Sequence, residues 1–312
     1  LLVDDPENLM LLCHGHHHLV DDERPDDYPE NVLQAMKAEH EARIAMLTGI
    51  QPERATHALL YGARIGEHDT LLREGLAFAA ILPERYPRDG RAIALGLGSC
   101  SHTDSEQAYW DFQVEHLRRT FAQRVEERRI SGEIDHLSAF ALAPQPLLME
   151  LGRLLGDQGA VEVFQLSREP QAWRWRETGD AIEYTVRRPP EARSVKAVAL
   201  KLALSATMAD SRVEAALGIQ VPIWEIACTA PGNDVLSRSA CLSRFRGLVR
   251  KAFDDIKAAH GEGAEIHVFP ALPVSAAVEV GRVWMPKSDL PLVVYDNDRA
   301  TGGFKRRHRL GN

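Results

Sequence analysis

The sequence predicts an α/β protein built on a duplicated unit, and three observations predict it. The first is a stretch that occurs twice. Residues 140–153 read F-A-L-A-P-Q-P-L-L-M-E-L-G-R and residues 269–282 read F-P-A-L-P-V-S-A-A-V-E-V-G-R. Without a gap, Phe140 aligns with Phe269, Pro144 with Pro273, Glu150 with Glu279, Gly152 with Gly281 and Arg153 with Arg282. The second is an upstream echo, A-I-A-L-G-L at 92–97 and A-V-A-L-K-L at 197–202, each an apolar run of strand length. The third is the apolar run that follows each long motif, at 161–166 and 290–295. An internal repeat of this kind fixes the architecture before any single element does.

The elements follow in order. Residues 31–47 have helical spacing through Val32, Leu33, Met36, Ile44 and Leu47, and Gly49 and Pro52 end the helix. A second helix is expected near 69–80 with Asp69 or Thr70 as its cap. Residues 31–90 therefore read as a helical connector. The first half, 91–192, opens with a buried strand at 91–98. A small polar turn, Gly98-Ser99-Cys100-Ser101, follows and exposes backbone N–H groups of the kind that meet a phosphate. A long helix at 105–129 carries the stripe Val114, Leu117, Phe121 and Val125. The Phe140 motif and the strand at 161–166 complete this half, with a hairpin or edge strand at 178–187. The second half, 193–312, repeats the order and reads as longer by one strand at 221–229. Its long helix at 236–257 turns Leu242, Phe245, Val249, Phe253 and Ile256 inward. The basic run K-R-R-H-R at 305–309 reads as a solvated tail.

Two Rossmann-like halves place small polar residues at the carboxyl ends of their strands, where open α/β sheets bind ligands. Ser99 belongs to the first half, and Ser205, Thr207 and Thr229 to the second. In the second copy of the motif Pro273 precedes Ser275, a hydroxyl at a helix start that faces Pro146 in the first copy. Arg168, Trp173 and Trp175 lie just past the strand at 161–166. Two tryptophans and an arginine make a stacking platform for bases with a phosphate ligand, or a sheet edge packed on the core. Both readings remain open. The differences between the copies predict an asymmetric grip, mainly from the second half.

At the amino end, 8–21 reads N-L-M-L-L-C-H-G-H-H-H-L-V-D. Cys13 and His16 have the spacing of half a zinc knuckle, and His17 follows at once. A His-rich turn of this kind also occurs as a purely structural zinc site. Residues 4–30 are dense in Asp and Glu, with Arg24 the one basic residue besides histidine. The chain begins Leu-Leu-Val with its first methionine at Met10, which predicts that it is part of a longer protein.

Composition bounds the function. The chain has 312 residues and suits two domains. Its net charge of −8 argues against a surface that coats nucleic acid throughout. No apolar run is long enough to span a bilayer, and no signal peptide is visible. The four scattered cysteines fit a reducing, cytoplasmic compartment.

Two resemblances carry these features further. The segment at 8–17 resembles the second half of an HNH endonuclease motif, which makes Asn8 and His17 the expected catalytic residues. His17 is then the ligand of a catalytic Mg2+ or other divalent cation, and Cys13 and His16 are ligands of a structural Zn2+. The family's general-base His is expected upstream of Leu1. Residues 60–312 resemble the SAVED domain, a fused pair of CARF-like units. That resemblance is carried by Tyr109-Trp110, 139–152, Gln165-Leu166 with Arg168, Trp173 and Trp175, and 269–281. It implies a cyclic-nucleotide sensor of bacterial antiphage defence. Together the two parts resemble the HNH-SAVED effectors of CBASS systems. The implied protein is a latent endonuclease that a cyclic dinucleotide (cGAMP-like) drives into a homo-oligomer, dimer or tetramer, to degrade double-stranded DNA. Its implied domains are a partial HNH module at 1–30, the connector at 31–90 and the two CARF-like halves. The alternatives are a non-catalytic sensor that recruits a partner and a nuclease that degrades its own cyclic ligand.

Overall fold

The computed structural model describes residues 9–66, 70, 72–96, 100, 102–157, 159–168, 171–173, 175, 181–298 and 302–311. The chain divides into two compact units, 1–54 with 82–86, and 55–81 with 87–312. Asn8, Ser99 and Asp69 lie outside the described residues.

In the smaller unit, helix α1 (His14–His18) runs into a wide turn at Leu19–Glu23, and α2 (Glu30–Thr48) follows. Helix α2 appears where its spacing predicts it. None of its residues is buried, and Met36, Ile44, Met46 and Leu47 are exposed. Arg54 Nε donates to Glu84 O at 3.2 Å and Tyr86 OH to Pro52 O at 2.7 Å, which ties 82–86 to this unit.

The larger unit is the duplicated one. Its first half runs β1 (Ala55–Gly62), α3 (Glu74–Ile81), β2 (Ile93–Ala94), α4 (Gln107–Phe121), β3 (His136–Leu142), α5 (Gln145–Leu155) and β4 (Ala160–Val163). An antiparallel edge strand, β5 (Tyr184–Arg187), precedes the second half. That half runs β6 (Ala197–Ala203), α6 (Asp210–Leu217), β7 (Ile223–Cys228), α7 (Ser239–His260), β8 (Glu265–Ala271), α8 (Val274–Val283) and β9 (Leu292–Asp298). A second antiparallel edge, β10 (Gly303–Leu310), closes it. The shared strands run in the order β2-β1-β3-β4 in one sheet and β7-β6-β8-β9 in the other, all parallel. Two four-strand units of identical order and direction are what a duplication predicts. Parallel strands joined by helices bury both faces, hence the unbroken apolar runs.

Four expectations are corrected. Residues 55–62 are not connector: they form the central strand of the first sheet, with Leu59 and Tyr61 fully buried. The strand at 221–229 is not an addition to the second half, because β7 is the counterpart of β2 and β6 of β1. The echo at 92–97 had paired β2 with the wrong strand. The basic run at 305–309 is not a tail but lies within β10. Arg307 there is buried, stacks over Trp110 and pairs with Asp298 at 2.8 Å. The predicted helix near 69–80 starts at Glu74, and the Thr70 hydroxyl donates to Ala63 O at 2.9 Å instead of capping it.

The helix stripes sit where their periodicity puts them. Val114, Leu117, Phe121 and Val125 are buried, as are Leu242, Phe245, Val249, Phe253 and Ile256. One continuous core joins residues of both halves.

Candidate ligand site at the seam of the two halves

The repeated motif builds the seam. In each copy the Phe strand ends, a proline in extended conformation takes the N-cap position (Pro144, Pro273), and a helix begins. Helices α5 and α8 then pack on each other at their glycines. A Cβ on Gly152 would lie 1.9 Å from Val278 O, and one on Gly281 would lie 1.9 Å from Met149 O. Val278 and Met149 are themselves equivalent in the repeat, so each contact in one direction has its counterpart in the other. This is isologous packing within a single chain. Only glycine lets the two backbones approach this closely.

The repeated Glu and Arg flank that crossing and clamp it. Glu150 is fully buried and accepts from Arg118 Nε at 2.6 Å, from Arg153 Nη2 at 2.6 Å and from His308 Nε2 at 3.0 Å. Burial alone would raise this carboxyl, but the hydrogen bonds from His308, Arg153 and Arg118 overturn it and hold the group well below the usual carboxylate range. Its twin Glu279 accepts from Arg282 Nη1 at 2.6 Å and pairs with Arg246 at 3.4 Å. Each clamp reaches the other half. His308 of β10 holds Glu150, while Arg282 donates to Gly156 O and Val161 O and Arg246 pairs with Asp157.

At the carboxyl ends of the strands three polar bridges cross the seam. The Gln145 side chain donates to Leu272 O at 2.9 Å and accepts from Leu272 N at 3.3 Å. Gln165 Oε1 accepts from Ser275 N at 3.1 Å and from Ser275 Oγ at 2.7 Å. Arg168 N donates to Asp234 Oδ1 at 3.1 Å. The second-half loops join the same edge, with Gly232 N bonded to Leu204 O and Ser205 N to Ala271 O.

The sequence-predicted ligand residues separate into two groups. Arg168, Thr207 and Thr229 are exposed and Ser205 is half-buried, so their side chains are available. Pro273 and Ser275 are buried, and the Ser275 hydroxyl is spent on Gln165, so neither offers the predicted ligand contact. Trp173 is 3% exposed and stands edge-on to Phe140, with ring centroids 5.4 Å apart. It is the core residue of the second reading and not a stacking platform. Trp175 is half-buried and packs against the core, with its Nε1–H buried and without a hydrogen-bond partner among the described residues. Gln145 and Asp234 were missed by sequence reasoning, and Gln165 entered only as part of the motif that carries the resemblance, with no role in the site. The single signal was that the repeat puts a glutamine at 145 against Val274.

In the smaller unit, Cys13 Sγ lies 3.0 Å from His16 Nδ1, and the hydrogen bonds of His16 lower the thiol below its ordinary value. His17 Nδ1 lies 3.2 Å from Asp21. Among the described residues no group of three or more His, Cys, Asp or Glu is placed to hold a metal ion. The predicted knuckle ligands thus come together as a pair, and the described residues do not complete a metal site.

Residues 115–310 match the family described as "SMODS-associated and fused to various effectors sensor domain", SAVED. The chain belongs to the SAVED family. The matched range begins inside α4; β1 and β2, which precede it, pair into the same first sheet as β3. Among solved structures, the chain is similar to the Acinetobacter baumannii Cap4 SAVED/CARF-domain containing receptor with the cyclic trinucleotide 2′3′3′-cAAA. The TM-score is 0.50 at 11% identity, over 91% of this chain and 56% of that one. The same receptor without a named ligand matches with a TM-score of 0.49 at 9% identity, over 97% of this chain and 62% of that one. The SAVED chain thus spans about three-fifths of the receptor it resembles. No curated protein shows significant sequence similarity to it. No helix among the described residues is long and apolar enough to cross a membrane.

Proposed function

We propose that this SAVED chain is the sensor of an antiphage effector and binds a cyclic oligonucleotide at the carboxyl edges of its two sheets. The observation that carries the reading is the exposed Arg168, held by its backbone to Asp234 of the other half, on the edge that also displays Ser205, Thr207 and Thr229. A guanidinium supplies charge-assisted, bidentate contact to phosphate, and hydroxyls supply donors and acceptors for ribose and base. The ligand is a cyclic di- or trinucleotide. The sequence pointed to the smaller ring, and the similar Cap4 receptor holds the larger one.

In the same reading the sensor controls a metal-dependent DNA endonuclease whose HNH-like segment includes Asn8 and His17. Ligand binding favours a homo-oligomer by its higher affinity for that state, and the assembled form cleaves double-stranded DNA. The motif at 8–17 and the closeness of Cys13 to His16 support this part. Incubating the protein with plasmid, Mg2+ and a panel of cyclic di- and trinucleotides tests it. Ligand-dependent cleavage is the expected result. Ligand binding without cleavage would leave a sensor that recruits a partner.

A further inference from the structure

The two copies of the motif differ at one position whose consequence reaches the ligand edge. A helix start leaves backbone N–H groups without intrahelical partners. In α5 the residue after Gln145 is Pro146, which has no N–H to satisfy. The equivalent residue in α8 is Ser275, fully buried, with both an N–H and a hydroxyl. Its N-cap residue, Pro273, supplies no side-chain acceptor. The acceptor comes from the other half. Gln165, 5% exposed, places Oε1 on both Ser275 groups, and its Nε2 donates to Leu166 O at 2.8 Å. By strand register Val294 of β9 answers Val163 and not Gln165, and Pro146, the equivalent of Ser275, offers neither an N–H nor a hydroxyl, so this cap has no twin.

We propose that Gln165 is a positioning residue for the ligand edge, acting through Arg168. Gln165 fixes the chain leaving β4 to the start of α8, and three residues later Asp234 fixes Arg168 N. Two second-half groups thus pin the segment 165–168 at both ends, and the Arg168 guanidinium projects from a preformed backbone. Losing the Gln165 bonds lets that segment sample other positions, and the apparent affinity falls by the fraction of time the competent position is lost.

The inference rests on the ligand site proposed above. The test is titration of 2′3′3′-cAAA and 3′3′-cyclic GMP-AMP into the full chain and its variants, at a temperature where each is folded by circular dichroism. Gln165→Met is expected to weaken binding about 10-fold, and Gln165→Glu, which keeps an acceptor for Ser275, to stay within about 3-fold of the parent. In an Arg168→Ala background, Gln165→Met is expected to add less than about 2-fold, because coupled residues are not additive. Should Gln165→Met not fold, Ser275→Ala replaces it, with an expected loss of about 3-fold that likewise disappears without Arg168. A folded Gln165→Met with parental affinity, or a loss that adds fully to that of Arg168→Ala, overturns the inference alone. No binding of either nucleotide by the unmodified chain overturns the ligand site and the inference with it.

Discussion

The two halves of this SAVED chain are alike where they hold each other and unlike where they face solvent. Each contributes a helix that crosses its twin at glycine, a buried glutamate and an arginine one turn on. At the carboxyl edge the first half lends Gln145, Gln165 and the Arg168 backbone, and the second half answers with Leu272, Ser275 and Asp234. Duplication thus supplied a symmetric frame, and divergence at a few positions supplied an asymmetric carboxyl edge. The clamps differ too. The two arginines on Glu150 are partly exposed, Arg118 at 47% and Arg153 at 25%, whereas of the two on Glu279 Arg246 is 34% exposed but Arg282 only 3%.

That difference sets the largest expected effect. Glu279→Ala leaves a buried guanidinium without its carboxylate and is expected to cost about 3–5 kcal/mol in urea unfolding. Glu150→Ala lets its arginines turn to water and is expected to cost less, about 1–3 kcal/mol. Equal costs would mean that the clamps are energetic as well as structural twins. Gly152→Ala and Gly281→Ala meet the same obstacle and are each expected to cost about 3 kcal/mol, the top of the overpacking range. A clear inequality would break the symmetry of the crossing. Acid tests the Glu150 clamp next. The folded-state pKa of Glu150 is depressed, so its contribution is present above its unfolded value, near 4.5, and fades as pH falls below it. Glu150→Gln is expected to flatten the fall in urea midpoint between pH 5 and pH 3. The smallest effects lie at the edge. Ser205→Ala and Thr229→Ala are expected to weaken a cyclic oligonucleotide about 3- to 10-fold with no change in stability.

The frame was legible in the sequence because both copies still spell it, from the phenylalanine strand through the glycine crossing. The strand β1 was not, since Thr56 and His57 interrupt its apolar run. Both are buried all the same, at 1% and 2% exposure, and Thr56 Oγ1 is bonded to His136 Nδ1 at 2.8 Å and Ser138 Oγ at 3.0 Å across to β3. A polar residue satisfied by a neighbouring strand, as Thr56 is, looks like surface until the neighbour is known. The run at 305–309 misled for the same reason, because its acidic partners Asp298, Glu150 and Glu265 are set by tertiary pairing. Ser275 lies in the first turn of α8 but is not its cap, which is Pro273, and because its partner Gln165 lies 110 residues away the hydroxyl read as free. The exposure of Arg168, Thr207 and Thr229 was legible because it follows from their place at a carboxyl edge.

The central claim is that the asymmetric carboxyl edge binds a cyclic oligonucleotide through Arg168. Calorimetric titration of 2′3′3′-cAAA and 3′3′-cyclic GMP-AMP into the unmodified chain and into Arg168→Ala tests it most directly. Binding of one nucleotide by the unmodified chain, weakened about 10- to 100-fold by the substitution, is the predicted result. Equal affinity in the two chains, or no binding in either, would contradict it.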